Sequence, residues 1–596
     1  MKHLVLVACV ASTFSPLAEL IPVRPSDWQG NPIGWTIHGD HLQARMANGF
    51  VRAKGFQRGR QMTLVAEVTP RGVSTNNTEY ATFGVAGLES KERFWHLAFV
   101  RMPIAKGGRQ IFEFAERNKG RWPAQGYDKL KEISGGQTTG TWNFDQPYRL
   151  EIRTGEGRVE GIVKTLEGAI VYRRAYALKS GAVDCGAPAL HATGSFSADV
   201  ISAKAESAVC RPDDVDEPLA FPAYVNGPKP ISDRAFRATG FFRVEKAEGE
   251  QWRAIDPDGR EIVPLGVNSV NYDGCRSRGS IRRYREWNDA HYSSREAWAK
   301  ETLGRLKDWG FNRLSGGNTN LYHRGFMHSR NLSVGSRLCM PNMVQEYWIC
   351  PNPGKPCAAF PNVFHPQFRA WCDYVAQQEC APNRNDPWLF GYYTDNELAW
   401  WGRGARDVGL YNETLKLPEE HTARQALVRF VNERGCSDPQ KASTELRLEF
   451  LRLAAEIYFR ETAAAIRAAD PNHLVLGARF AGLSGAHEVV WEIAGKHCDL
   501  VTFNIYPWAD LDRNVVYVNA SSSAERVVDA FAARYAVVKK PFLITEWSFP
   551  SLDSGLPCLR GAGQRFTTQA DRTRATELFA RTMLSSPSVL GYDYFM

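Results

Sequence analysis

From residue 262 to the end, short apolar runs alternate with stretches patterned like helices, and this alternation constrains the fold more than anything else in the chain. Strands separated by helices cannot pair as hairpins; they lie parallel and are covered on both faces. The apolar runs fall at 262–268, 312–314, 389–397, 473–479, 500–506, 541–547 and 590–596. Helical patterns occupy 294–309, 366–378 and 444–469. A third strand belongs between 330 and 350, although no clear apolar run marks it there. Eight strand–helix units close into a (β/α)₈ TIM barrel, expected over 236–596. The segment Gly240-Phe241-Phe242-Arg243-Val244, followed by Trp252 and the turn at Asp256-Pro257-Asp258-Gly259, reads as a hairpin suited to capping the barrel's bottom.

The chain upstream reads differently. Between 27 and 207 the pattern is of short strands, at 61–68, 94–100, 148–153 and 159–163, punctuated by glycine turns such as Gly155-Glu156-Gly157. This region is expected to be an all-β, jelly-roll-like sandwich, similar to lectin-type modules. Such a module either binds carbohydrate or serves as a structural companion. Residues 208–235 hold several prolines and the acidic run Asp213-Asp214-Val215-Asp216-Glu217, and read as an extended linker. The chain is therefore multidomain, as 596 residues require.

The first 20 residues read as a signal peptide, with Lys2, an apolar run from Leu4 to Ala11 and then Ser12-Thr13. Secretion or export to the periplasm is the expectation. No later run approaches the roughly 20 apolar residues that span a bilayer. The net charge of +8 is scattered along the chain, which argues against a nucleic-acid partner. Of 12 cysteines, the close pairs Cys350/Cys357 and Cys372/Cys380 are candidates for disulfides in an exported protein. No cysteine or histidine spacing matches a metal site, and His487 and His497 are read as structural; neither metal nor cofactor is expected.

Two carboxylates carry the chemistry. Glu397 ends the fourth strand and Glu546 ends the seventh, both at the C-terminal edge where such barrels place their reactive groups. Strands three steps apart can bring side chains together across the mouth. Two converging carboxyls suit glycosidic bond cleavage, with one protonating the leaving oxygen and the other attacking the sugar carbon. Asn396-Glu397 paired with Glu546 resembles the clan A glycoside hydrolases. That likeness implies Glu397 as acid/base, Glu546 as nucleophile and Asn396 at the sugar 2-hydroxyl. The longer run Asp386-Pro387-Trp388-Leu389-Phe390-Gly391-Tyr392, together with Thr545-Glu546-Trp547-Ser548-Phe549 and Leu552-Asp553-Ser554-Gly555, resembles the agarase-like enzymes of glycoside hydrolase family 50. The likeness covers about 240–596 and implies a retaining hydrolase of β-linked galactans.

The same resemblance implies that Tyr506, ending the sixth strand, hydrogen-bonds the nucleophile. Arg313, ending the second, is expected to orient that carboxylate, with Arg479 on the fifth a weaker candidate. Trp400, Trp401, Trp508 and Trp547 follow strand ends and are candidates for stacking on sugar rings, while Asn268 and Asn504 are candidate polar lining. The sequence ends at the eighth strand, where the clan continues with an aromatic and an eighth helix. The barrel is therefore expected to leave apolar surface of that strand uncovered. Two alternatives stand beside this reading: a clan A hydrolase of another plant or algal polysaccharide, and a catalytically inactive carbohydrate-binding protein.

Overall fold

A computed structural model describes residues 20–595 apart from 74–78, 119–121, 123–129, 134–139, 209–219, 247–250, 275–280, 319–320, 341–342, 352–358, 401–408, 521–524 and 556–561. The region expected to be a signal peptide lies outside the described residues up to position 19. Among the described residues, no helix is long and apolar enough to cross a membrane. The chain forms two compact units, Met1–Glu217 and Pro218–Met596.

Among the described residues, the first unit is an antiparallel network of thirteen strands. Its spine is the 22-residue strand Ala187–Ala208, which pairs with His41–Ala53, Gln61–Val73 and Ala81–Ser90. Register shifts between Ala192 and Ala198 interrupt the pairing with His41–Ala53, and near them the strand passes from Ala81–Ser90 to Gln61–Val73. Such bulges bend a strand and increase its twist. Alternation sorts the side chains: Trp95, Leu97 and Phe99 join a core with Phe83, Phe114, Trp142 and Leu150, while Phe94 and His96 point the other way.

The second unit is a closed barrel of eight parallel strands in sequence order. In order they are Leu265–Val267, Arg313–Leu314, Met327–Asn331, Leu389–Asn396, Leu474–Ala481, Val501–Asn504, Phe542–Trp547 and Val589–Tyr594. Strand eight returns to strand one, with Asp593 opposite Gly266. Strand three begins three residues before the expected window. Its sequence, Met-His-Ser-Arg-Asn, is mostly polar, so hydropathy could not reveal it.

Helices α1 (Ile281–His291) and α2 (Arg295–Asp308) follow strand one; α3 (Val334–Leu338) and α4 (Phe368–Glu379) follow strand three. Strand four leads to α5 (Gly409–Leu415), α6 (Thr422–Asn432) and α7 (Thr444–Ala469). The later strands are joined by α8 (Glu488–His497), α9 (Val527–Val538) and α10 (Gln569–Ser585). Ser294 caps α2 and Ser443 caps α7, each accepting from a backbone amide of the first turn. Strands two and three are joined by residues 315–326 with no α-helix among the described residues, a departure from eight regular units.

Below the barrel, Arg243–Lys246, Trp252–Ile255 and Glu261–Ile262 form a small antiparallel sheet. Ile262 therefore belongs to this sheet rather than to strand one. Phe242, Ala254 and Ile262 pack against Met327, Phe390, Leu474, Leu500, Leu543 and Leu590 at the strand beginnings, which closes the barrel floor. The Pro-rich stretch read as an extended linker over 208–235 is held to this floor at several points from residue 223 onward. Trp388 Nε1 donates to the Ala223 carbonyl at 3.2 Å, Tyr224 donates to Asp256 at 3.0 Å, and Ser232 donates to Glu261 at 2.7 Å. Prolines remove donors, but the carbonyls, a phenol and a hydroxyl remain to anchor the backbone.

Two further expectations change. Strand eight is buried from Val589 to Asp593, because Phe579 of α10 packs on Tyr592 at 5.5 Å. Cys372 and Cys380 are both free thiols. Cys372 lies in α4 and Cys380 caps it, eight residues on; that spacing is about 12 Å along a helix, beyond a disulfide's reach. The pair Cys350/Cys357 includes Cys357, which lies outside the described residues.

Candidate active site

Strand four leaves its regular register near its end. The ladder to strand five shifts after Tyr392 and again after Tyr393, so that Asn396 comes to stand opposite Arg479. The next residue, Glu397, has a left-handed backbone, φ 50°. Non-glycine residues are held in that region only where their surroundings compel it. Here the Glu397 amide donates to the Arg479 carbonyl at 2.8 Å, and Asn504 Nδ2 donates to Glu397 Oε1 at 2.7 Å. The same Asn504 nitrogen lies 3.3 Å from Asn396 Oδ1.

Below this bend, Asp395 is fully buried and accepts four hydrogen bonds. They come from the amides of Gly335 (2.6 Å) and Ser336 (2.8 Å), the Ser336 hydroxyl (2.6 Å) and the Tyr458 hydroxyl (2.6 Å). Burial raises its carboxyl above the ordinary range against the pull of these donors. Asp395 thus ties the end of strand four to α3 and α7.

Glu546 sits on strand seven, opposite Asn504 of strand six. Arg479 Nη2 donates to Oε1 at 2.9 Å and the Tyr506 hydroxyl to Oε2 at 2.7 Å. Arg479 also donates to the Thr545 carbonyl at 2.8 Å, as does Asn268 Nδ2 at 3.0 Å. Thr545 Oγ1 in turn donates to Asn504 Oδ1 at 2.8 Å. Arg479 and Asn504 therefore each touch the segments carrying both carboxylates, which places the two glutamates on one rim.

Burial pushes the Glu546 carboxyl up, the Arg479 charge and the Tyr506 hydrogen bond draw it back, and the Glu397 charge adds to the rise; the net direction is upward. Burial and the Glu546 charge push the Tyr506 phenol well above its usual range, so it remains a donor. Two hydrogen-bond donors on one buried carboxylate stabilise its ionised form, the state in which it can act as a nucleophile.

The structure thus brings together Glu397, Glu546, Asn396 and Tyr506, along with Asn268 and Asn504, which the sequence offered only as lining. It separates others. Arg313 does not touch Glu546. It is fully buried lower in the barrel, ion-paired with Asp593 and donating to Ser329 at 2.7 Å and Tyr393 at 3.1 Å. Strand two is only two residues long, and its arginine points into the barrel's interior layer; Arg479, whose guanidinium lies 5.4 Å from the Tyr393 ring centre, occupies the place expected for it.

Trp400 is 1% exposed, stacked on Phe459 at 5.3 Å and edge-on to Phe360 and Tyr458. Trp547 is 3% exposed and stacked on Phe579 at 4.1 Å. Both are core residues and present no face to a sugar. Trp401 lies outside the described residues. Trp508 is 40% exposed on a hairpin after strand six, Trp508–Asp510 paired with Val515–Tyr517. His487 caps α8, accepting from the Val489 amide, and His497 pairs with Glu456 at 2.8 Å.

No family model matches the chain. Among curated proteins, it is 21% identical over 462 residues to beta-agarase B of Vibrio sp. (strain JT0107), covering 62% of this chain and 45% of that protein. It is 24% identical over 448 residues to beta-agarase A of the same strain, covering 61% of this chain and 42% of that protein. The matched region thus spans less than half the length of these relatives. A solved exo-beta-agarase superimposes with a TM-score of 0.50 at 14% identity, covering 95% of this chain and 91% of that chain; the two share a fold.

Proposed function

We propose that this chain is a retaining glycoside hydrolase of agarase type that cleaves β-glycosidic bonds in a polysaccharide by double displacement. The observation that carries the reading is Glu546 clamped between Arg479 and Tyr506 on the same rim as Glu397. The likeness to two beta-agarases supports the substrate class.

In this mechanism Glu397 protonates the glycosidic oxygen as the bond to the anomeric carbon breaks, and Glu546 attacks that carbon from the opposite face. The ionised Glu397 then takes a proton from water, which displaces Glu546 and restores both groups. Asn396 hydrogen-bonds the sugar 2-hydroxyl, and Trp508 offers a ring to a neighbouring sugar. The barrel belongs to the (β/α)₈ class of clan A. The first unit is a jelly-roll-like, lectin-type sandwich that holds polysaccharide, and the protein is exported.

The test is release of reducing ends from agarose, porphyran, xylan, mannan and laminarin, with NMR of the first anomer formed. Release from agarose with the β configuration retained supports the proposal. Release only from another polymer moves the substrate, and inverted product removes the double displacement. A folded protein that binds agarose in affinity gels and releases nothing is a binding protein instead.

A further inference from the structure

Far from the rim, at the opposite end of the barrel, three side chains converge without a role in the chemistry above. His323 lies in the connection between strands two and three, His328 is the second residue of strand three, and Asp386 precedes strand four. One ring nitrogen each of His323 and His328 and a carboxylate oxygen of Asp386 all lie within 4.8 Å of one another. His323 Nδ1 is 2.8 Å from Asp386 Oδ2, and His328 Nε2 is 3.5 Å from the same oxygen. His328 and Asp386 are fully buried.

The state of His328 is the informative detail. Its Nδ1 lies 3.2 Å from the Phe326 carbonyl, which can only accept, so Nδ1 carries the hydrogen. In the neutral ring Nε2 is then a bare lone pair. It makes no hydrogen bond and faces a carboxylate oxygen. Two acceptors turned toward each other in a dry site call for a positive centre between them. A proton would need only these two groups. The third donor, His323 Nδ1, converging on the same oxygen, makes a chelating set of two imidazoles and one carboxylate.

We infer that His323, His328 and Asp386 form a structural site for a divalent transition-metal ion of the zinc type at the barrel floor. The donor set suits such an ion, and His328 donates its other ring N–H to a backbone carbonyl, as ligating histidines do. Tyr322 stacks on His328 at 4.8 Å and fixes its plane. Asp386 Oδ1 accepts from the Trp388 amide at 3.0 Å, leaving Oδ2 for the ion. Arg330 lies 3.5 Å from His323 Nε2 but also reaches Glu379 at 3.4 Å; with the ion bound, Glu379 takes it. Phe221 packs on His323 at 5.3 Å, and Trp388 holds Ala223. The ion would therefore staple the incoming segment 220–224 to the barrel base.

The full chain, stripped with chelator and desalted, is titrated with Zn²⁺ alone, and bound metal is counted after gel filtration. The expected result is one tightly held ion per chain and a melting temperature that rises with Zn²⁺ but not Mg²⁺. His323→Asn changes a partly exposed residue and keeps the fold, and His328→Asn is its buried counterpart. Each should weaken zinc binding at least tenfold, while His291→Ala, at an exposed site, should not. Co²⁺ should give visible absorption bands that both site variants lose. Wild type that holds no zinc leaves a proton-linked cluster capped by Arg330 and overturns the inference. Zinc held equally by the two site variants overturns it as well.

Discussion

The backbone amide of Glu397 donates to the carbonyl of Arg479 at 2.8 Å, while the guanidinium of the same arginine reaches Glu546 at 2.9 Å. One residue of strand five thus fixes both carboxylates, one through its main chain and the other through its side chain. A change in its side chain should act on Glu546 and leave the Glu397 bend standing.

Arg479→Met should therefore lower kcat by about two to four orders of magnitude, if the roughly 3–5 kcal/mol cost of breaking a buried pair falls on the reacting carboxylate. The sign with pH follows from the same contact. Arg479 holds the Glu546 carboxyl down, so its loss raises that carboxyl further. Because the nucleophile must be ionised, the acid limb of the pH–rate profile should move to higher pH. Tyr506→Phe should shift it the same way with a smaller loss, about one to two decades. Profiles of kcat/KM for the three proteins check this, and an unmoved acid limb in both variants would separate Glu546 from that ionisation.

Glu546→Ala should abolish turnover, and azide should restore it with the anomeric configuration of the product inverted. Glu397→Ala should instead form the glycosyl-enzyme from an aryl glycoside, whose leaving group needs no proton, and stall at its hydrolysis. That stall removes about 10²–10⁴ in rate. Azide should restore this variant with configuration retained. NMR of the glycosyl azides reads both outcomes, and the reverse pattern exchanges the two roles.

The tryptophans should separate cleanly. Trp508→Ala should leave the melting temperature in place and raise KM on polymer up to about tenfold, the worth of one aromatic contact. Trp400→Ala should destabilise the fold by about 3–5 kcal/mol, as emptying a packed aromatic site does. Calorimetry beside polymer kinetics measures both.

Much of this was legible in the chain. Strands four and seven announce themselves because each opens on an apolar run and carries a glutamate at its C-terminal end, and α7 because its pattern is long. Strand three was not, since polar side chains line it on a barrel whose interior layer is ionic. Trp547 could have been placed from sequence alone. Neighbours on a strand point to opposite faces, so the residue after an inward Glu546 faces the helices. The reach of Arg479 depends on the register shifts between strands four and five, which no local pattern encodes. The metal set was hidden for a similar reason, with His323 and His328 five residues apart and Asp386 far beyond them.

The left-handed backbone at Glu397 has a consequence for stability as well as chemistry. A glutamate in that conformation costs about 1–2 kcal/mol that asparagine or glycine would largely spare. Glu397→Asn should give an inactive protein that melts a few degrees higher than wild type in scanning calorimetry. A chain that only held polysaccharide would have no use for a strained carboxyl at this point of the rim. The strain is accounted for by the acid/base role proposed for Glu397, which needs a carboxyl where asparagine or glycine would fit the backbone better.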